Sequence, residues 1–259
     1  MWIYIKKMIE ISLKKVLVYP FEVLMLLVYS IFELAFILLF WWSIGNNFIL
    51  PKGYVNGHMF LFSAMVMLSS GFQEVFFGVI ILPYDIKNGN LDNYLVMPKN
   101  IWLHYLLDKM NLSIVLEKLL IGLVALVVSI HFFSISVNMW RIILAVALLF
   151  FANLIFALLG LMISFIAFWK ENIDNFRNLI YSSNDIKKYP LGFFSKKFQS
   201  FFLNVIPIGL ITYYPFELLI DNVELEVSIL LRYSITFVVF VLFTKILAKK
   251  GLKIYESNN

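Results

Sequence analysis

The chain contains no cysteine. That excludes disulfides, thiolate metal sites and cysteine nucleophiles. Charge is almost as scarce: 14% of the 259 residues are charged and 62% are hydrophobic. No soluble domain of this length needs so much apolar surface, and the polar stretches, about 30 residues at most, leave no room for one. Motifs of chemistry are missing as well. There is no GxxxxGK[ST] phosphate-binding loop, no HExxH and no GxSxG. The three histidines, His58, His104 and His131, are scattered over loops and span ends. Their spacing speaks against a shared metal site and for interfacial hydrogen bonding. The net charge of +5 lies beside apolar segments, where it sets topology and contacts anionic lipid, so no nucleic-acid partner is expected.

What the chain does have is long apolar runs. About six of them reach 20 residues or more, enough to cross a ~30 Å hydrocarbon core. Spans are expected at roughly 21–44, 59–82 (closed by Pro83), 112–132, 139–169 and 228–247, with one more between 170 and 220. The fold class is therefore an all-α polytopic membrane protein, one transmembrane domain over 1–259. Residues 1–19 read as an interfacial helix. Ile5, Met8, Ile9 and Val16 share one face, with Lys6, Lys7, Glu10 and Lys14 opposite. The apolar run after Pro20 is too long for a signal peptide and is expected to stay as the first span.

All Lys and Arg residues except Lys52, Arg141 and Arg232 fall in the N-terminus, the loop 83–111 with Lys118, the polar segment 170–198 and the tail from Lys245. The positive-inside rule makes these cytoplasmic, so both termini are cytoplasmic and the crossings are even in number. One assignment stays open. Hydropathy and charge place the fifth span at 199–220, with 170–198 cytoplasmic. Pro207 and Pro215 would break a simple helix there. The alternative makes 171–190 a polar crossing and 199–220 a pair of re-entrant half-helices.

The most informative short motif is Gly89-Asn90-Leu91-Asp92-Asn93-Tyr94-Leu95-Val96-Met97-Pro98. Gly89 can end an extension of the second span, Asn90 can cap a new helix and Pro98 stops it. The spacing predicts a short water-side helix over 90–97 with Leu91, Tyr94 and Leu95 on one face. That face either rests on its own loop and the bilayer or inserts into another protein.

A G-x-L-D-x-x-L-x-x-P between spans two and three resembles the permease subunits of bacterial ABC-2-type exporters, in their short, single-domain six-span branch. The stretch Tyr189-Pro190-Leu191-Gly192-Phe193-Phe194, then Val205-Ile206-Pro207 and Pro215, is similar to a second family segment. The position before the motif's Gly, basic in the family, is Asn88 here, with Lys87 beside it. The resemblance spans essentially the whole chain. It implies a transmembrane subunit without ATPase activity of its own, in a bacterial cell membrane. Two ABC ATPase subunits would carry ATP and Mg, and a second permease, same or paralogous, would complete the translocation path. Gly89, Leu91, Asp92, Tyr94, Leu95 and Pro98 would then form the ATPase-coupling helix.

Glu33 lies near mid-span in the first apolar run, and Gln73 and Glu74 in the second. An ionised carboxylate at such depth costs several kcal/mol unless paired or wet. These three residues are candidates for the translocation path, or for helix–helix hydrogen bonds that fix packing. Asn153 reads as structural, and Glu22 and Glu117 as interfacial partners of nearby lysines. Residues 171–186, with Glu171, Asp174, Arg177 and Asp185, read as a solvated face or as a second ATPase-docking surface. A competing function is an ion-coupled secondary transporter using Glu33 or Glu74 as its proton site. An intramembrane enzyme lacks any clustered His, Asp or Ser. The transported substrate is not legible in this sequence.

Overall fold

The computed structural model describes residues 2–98, 100–170, 173–220 and 227–255. Glu171 and the acidic loop residues Asp221, Glu224 and Glu226 lie outside this range. Among the described residues there is no strand. The helices are α1 (Trp2–Val18), α2 (Pro20–Asn47), α3 (Asn56–Glu74), α4 (Gly78–Lys87), α5 (Asp92–Leu95), α6 (Ile101–Asp108), α7 (Leu112–Phe132), α8 (Met139–Ser164), α9 (Asp174–Ser183), α10 (Lys196–Asn204), α11 (Gly209–Leu219) and α12 (Val227–Ile254).

Five spans are long and apolar: α2, α3 continued by α4, α7, α8 with its 3₁₀ extension to Phe168, and α12. At 1.5 Å per residue they run about 30–50 Å, sufficient for the bilayer core. Local chemistry sets their ends. Pro20 opens α2, where its missing N–H costs nothing. Asn111 and Asn138 cap α7 and α8, their side-chain oxygens accepting from Ile114 N and Trp140 N. In the interior, α3 and α7 cross closely because Gly71 and Gly122 face each other's helices. A Cβ on Gly122 would stand 2.9 Å from Leu68 N, and one on Gly71 3.1 Å from Leu119 N. Small residues at such crossings replace the hydrophobic drive that lipid removes.

Pro83 does not close the second span. It sits inside α4. A proline there strips the carbonyl four residues back of its helical partner. That carbonyl belongs to Val79, and it accepts instead from Ser164 Oγ on α8 at 2.8 Å. The neighbouring helix thus satisfies the freed group inside the membrane. The actual break falls earlier, at residues 75–77, between α3 and α4.

The fifth crossing corrects the expectation from hydropathy. Three contacts place residues 174–193 along the whole second span. Asp174 and Arg177 meet Tyr84, with Arg177 Nη2 donating to Tyr84 Oη at 2.8 Å. Asn184 and Lys187 meet Gln73. Phe193 stacks on Tyr54, just before α3, with ring centroids 6.0 Å apart. This stretch covers about 30 Å at helical rise, so 174–193 runs along the bundle from one end to the other rather than across one end. Helices α10 and α11 form a pair bent by 113° across Pro207. Gly209, at the start of α11, packs on Leu191, and Glu217 near its end meets Tyr54 and Lys52. Both ends of α11 therefore stay at one end of the bundle, and the pair is re-entrant. Hydropathy favoured 199–220 because it is apolar, but its prolines and the cover of neighbouring helices make it a plug. The polar stretch crosses because its buried side chains find partners within the bundle.

Six crossings give the bundle two ends. The near end carries α1, α5, α6 and the end of α12. There α1 packs on α6 and α7 and hydrogen-bonds His104 through Tyr4, while Gly251 of α12 packs on Phe168. The far end carries Tyr54, Phe193 and the α10–α11 pair. Lys196 and Lys197 move to the far end, yet most Lys and Arg remain near.

Candidate functional site

At the near end, α4 stops through Gly89, whose φ of +75° turns the chain back. The platform that follows is pinned by Asp85, which is 4% exposed. Its carboxylate accepts from Tyr105 Oη at 2.8 Å and from Asn90 Nδ2 at 3.0 Å, and pairs with Lys109 at 2.9 Å. Tyr94 Oη donates to Asp108 at 2.6 Å. Burial, and then the hydrogen bonds to Asp85 and Asp108, hold the Tyr105 and Tyr94 hydroxyls far above their ordinary pKa. Both stay donors at any physiological pH, so the platform is fixed.

This geometry differs from the expected short helix in two ways and chooses between the two readings of its apolar face. Its helical core is α5 alone, four residues long. Asn90 ties down Asp85 rather than capping α5. Leu91 is fully buried and Tyr94 nearly so, against Val79, Leu82, Ile86 and Tyr105 of the same chain. Leu95 is half-buried. The apolar groups left outward are Val96, 82% exposed, and Met97, with Pro98 beside them. Asp92 is half-buried at the start of α5.

Inside the bundle, polar side chains from five crossings converge. Glu33 of α2 pairs with Lys118 of α7 at 2.7 Å, a partner that Lys118's place near the loop had concealed. Gln73 exchanges two amide hydrogen bonds with Asn184, 3.0 and 3.1 Å, and accepts from Lys187. Ser69 donates to Asn153, which itself donates to Leu149 O within α8, a structural bond as expected. Glu74 lines a cavity at the break between α3 and α4. Glu117 is 3% exposed and its carboxylate has no hydrogen-bond partner among the described residues. It was expected to pair with a neighbouring lysine, but Lys118 turns to Glu33 instead. Glu22 is exposed at the start of α2. Among the described residues, no group of His, Asp and Glu is placed to hold a metal.

The sequence concealed one more feature. On the fifth crossing Asn175, Asn178, Ser182, Asp185 and Tyr189 are exposed, as is Leu179, while Arg177, Lys187 and Pro190 are buried. The polar members recur every three or four residues, one stripe of a helix. Polar groups facing lipid over a whole crossing cost too much. The stripe therefore faces water or another protein.

A comparison with models of protein families matches residues 31–259 to the ABC-2 family transporter proteins. The match takes in five full spans, the platform and the re-entrant pair. The chain belongs to the ABC-2 transporter family. It is a multi-pass membrane permease, the transport subunit of an ABC transporter rather than its ATPase, and it works with an ABC ATPase subunit. Comparisons with curated proteins and with solved structures find no match.

Of the permease's expected site residues, Leu91 and Tyr94 join the near-end core, and Gln73 and Glu74 join the polar interior. Glu33 lies in an ion pair. Asp85, Tyr105 and Lys109 escaped sequence reading because nothing in a single chain shows that positions so far apart converge. The stripe on the fifth crossing was hidden because Asn175, Asn178, Ser182 and Asp185 fit a solvated face equally well.

Proposed function

We propose that this permease is the transmembrane subunit of an ATP-driven exporter in a bacterial cell membrane, with its near end cytoplasmic. A second permease, same or paralogous, would face the stripe on the fifth crossing. The translocation path would run between them. Two ATPase subunits, carrying ATP and Mg, would dock under the near-end platform through Val96, Met97 and Pro98. Leu91, Asp92, Tyr94 and Leu95 would hold that surface in place, and Gly89 would set its direction. Nucleotide-driven closure of the ATPases would push the platform, and the Asp85 network would pass the movement to α4 and so to the broken second span.

The observation that carries this reading is the polar stripe facing out of the subunit along a full crossing. A lipid neighbour cannot satisfy it, and a water-filled path between two permeases can. The positive charge of the near end supports the orientation. Ion coupling through Glu33 has less support, because Lys118 already neutralises that carboxylate inside the subunit.

The cysteine-free chain makes the test clean. Single cysteines at Asn175, Asn178, Ser182 and Asp185 are treated with a membrane-impermeant maleimide in vesicles with and without ATP. Labelling along the stripe is expected, with ATP changing which side gives access. Leu123→Cys, on an exposed apolar face of α7, stays unlabelled. A stripe as inert as Leu123 contradicts the proposed path.

A further inference from the structure

A cavity of about 110 Å³ opens where α3 breaks before α4. Its lining includes Glu74 and Asn153 together with Phe76, Phe77, Phe156 and Tyr181. The Oε2 atom of Glu74 is buried and has no hydrogen-bond partner among the described residues. Deep in a span, such an oxygen calls for a donor or a positive charge.

The surrounding charges decide which. Lys118 is committed to Glu33 at 2.7 Å, and Lys188 to Asp185 at 2.8 Å. Glu74 and Glu117 are left without an ion pair among the described residues, and Lys187 hydrogen-bonds the amide oxygen of Gln73. A cation beside Glu74 would satisfy its carboxylate; a proton would too, but a proton uses neither the cavity nor the aromatic residues that line it. A cavity of about 150 Å³ takes up a benzene ring, so this one suits a group near the size of trimethylammonium. A carboxylate among aromatic faces is the chemistry that recognises alkylammonium ions. An anion would meet the Glu74 carboxylate, and a neutral apolar group would leave its oxygen unsatisfied.

We propose that this cavity binds an ammonium group, primary or quaternary, carried by a soluble substrate or by a lipid headgroup. The proposal deepens the exporter reading and rests on it for the group's use as cargo, though not for the binding itself. Tyr181 and Asn184 reach inward on the crossing whose Ser182 and Asp185 face out, so the cavity lies directly behind the proposed path.

The test uses the permease–ATPase complex in nanodiscs of phosphatidylglycerol alone, with radiolabelled choline and ethanolamine as probes. Saturable binding is expected, displaced by tetramethylammonium and not by 3,3-dimethylbutan-1-ol, the neutral isostere of choline. Glu74→Gln should weaken choline binding at least tenfold, Glu74→Asp less, and Phe156→Leu severalfold. The last two variants keep the test decisive should Glu74→Gln fail to fold. Competition by phosphatidylcholine added to the discs identifies a lipid headgroup as the source, and its absence a soluble amine; either supports the site. The proposal is overturned if neither probe binds saturably, if the neutral isostere displaces choline equally well, or if the folded variants bind like the parent. ATP-driven export of some other cargo without choline binding would sink this site and spare the exporter. Choline binding in a complex that transports nothing with ATP would do the reverse.

Discussion

Lys52 has a φ of 58°, in the left-handed region that residues with a side chain seldom enter. The turn aims its ammonium back over the re-entrant pair, 2.8 Å from Tyr213 Oη and 3.3 Å from Glu217. Glu217 is 1% exposed and also accepts from Tyr54, whose hydroxyl burial and that hydrogen bond push far above its ordinary pKa. Desolvation lowers the pKa of Lys52, but the contacts with Tyr213 and Glu217 outweigh it and leave a net rise. Removing the lysine would strand a buried carboxylate. Lys52→Met should cost roughly 1–3 kcal/mol, the upper part of that range being limited by the lysine's own exposure. It should appear as a lower thermal midpoint in detergent. Lys52→Met with Glu217→Leu should recover most of the loss, because an apolar pair carries no desolvation debt. A double variant weaker than the single would show that some other contact holds α11. In the sequence Lys52 is merely a lone cation in a short loop, and Glu217 draws no notice. Their pairing depends on α11 folding back, which no local pattern reveals.

At the scale of elements, apolar periodicity identified five spans to within a few residues, because each must satisfy its own backbone in lipid. It failed for the fifth crossing, which is shielded by α3, α4 and α8 and need not be apolar. On the water-side motif it left two readings open. A helical pattern tells which residues share a face, but not whether that face is covered. Here Tyr105 and Ile86 cover Leu91 and Tyr94. Two variants separate the roles. Leu91→Ala should cost about 2–5 kcal/mol, as for other buried leucines, and reduce the yield of folded permease. Val96→Asp should leave yield and thermal midpoint unchanged and reduce co-purification of the ATPase. The opposite pattern, with Leu91→Ala stable and Val96→Asp unfolded, would place Val96 in the core and Leu91 at the docking surface.

For the whole molecule, six crossings and the concentration of Lys and Arg at one end were legible because hydrophobic thickness and lipid charge act on the chain directly. The family resemblance was legible through the order of two motifs, and residues 31–259 match the family. The missing phosphate-binding loop leads to a simple expectation: the purified permease, free of its partner, hydrolyses no ATP. Activity in the pure chain would place a nucleotide site somewhere in 1–259. The central claim, that the near-end platform is where an ATPase docks, can be tested in native membranes. Val96→Cys and Leu91→Cys are introduced separately into the cysteine-free chain, reacted with a benzophenone maleimide and irradiated, and the adducts are identified by mass spectrometry. The account predicts that Val96→Cys captures a protein whose peptides carry a phosphate-binding loop, and that buried Leu91→Cys captures none. If Val96→Cys yields no such adduct, or a cysteine at far-end Lys52 yields it instead, the coupling surface and the orientation are both wrong.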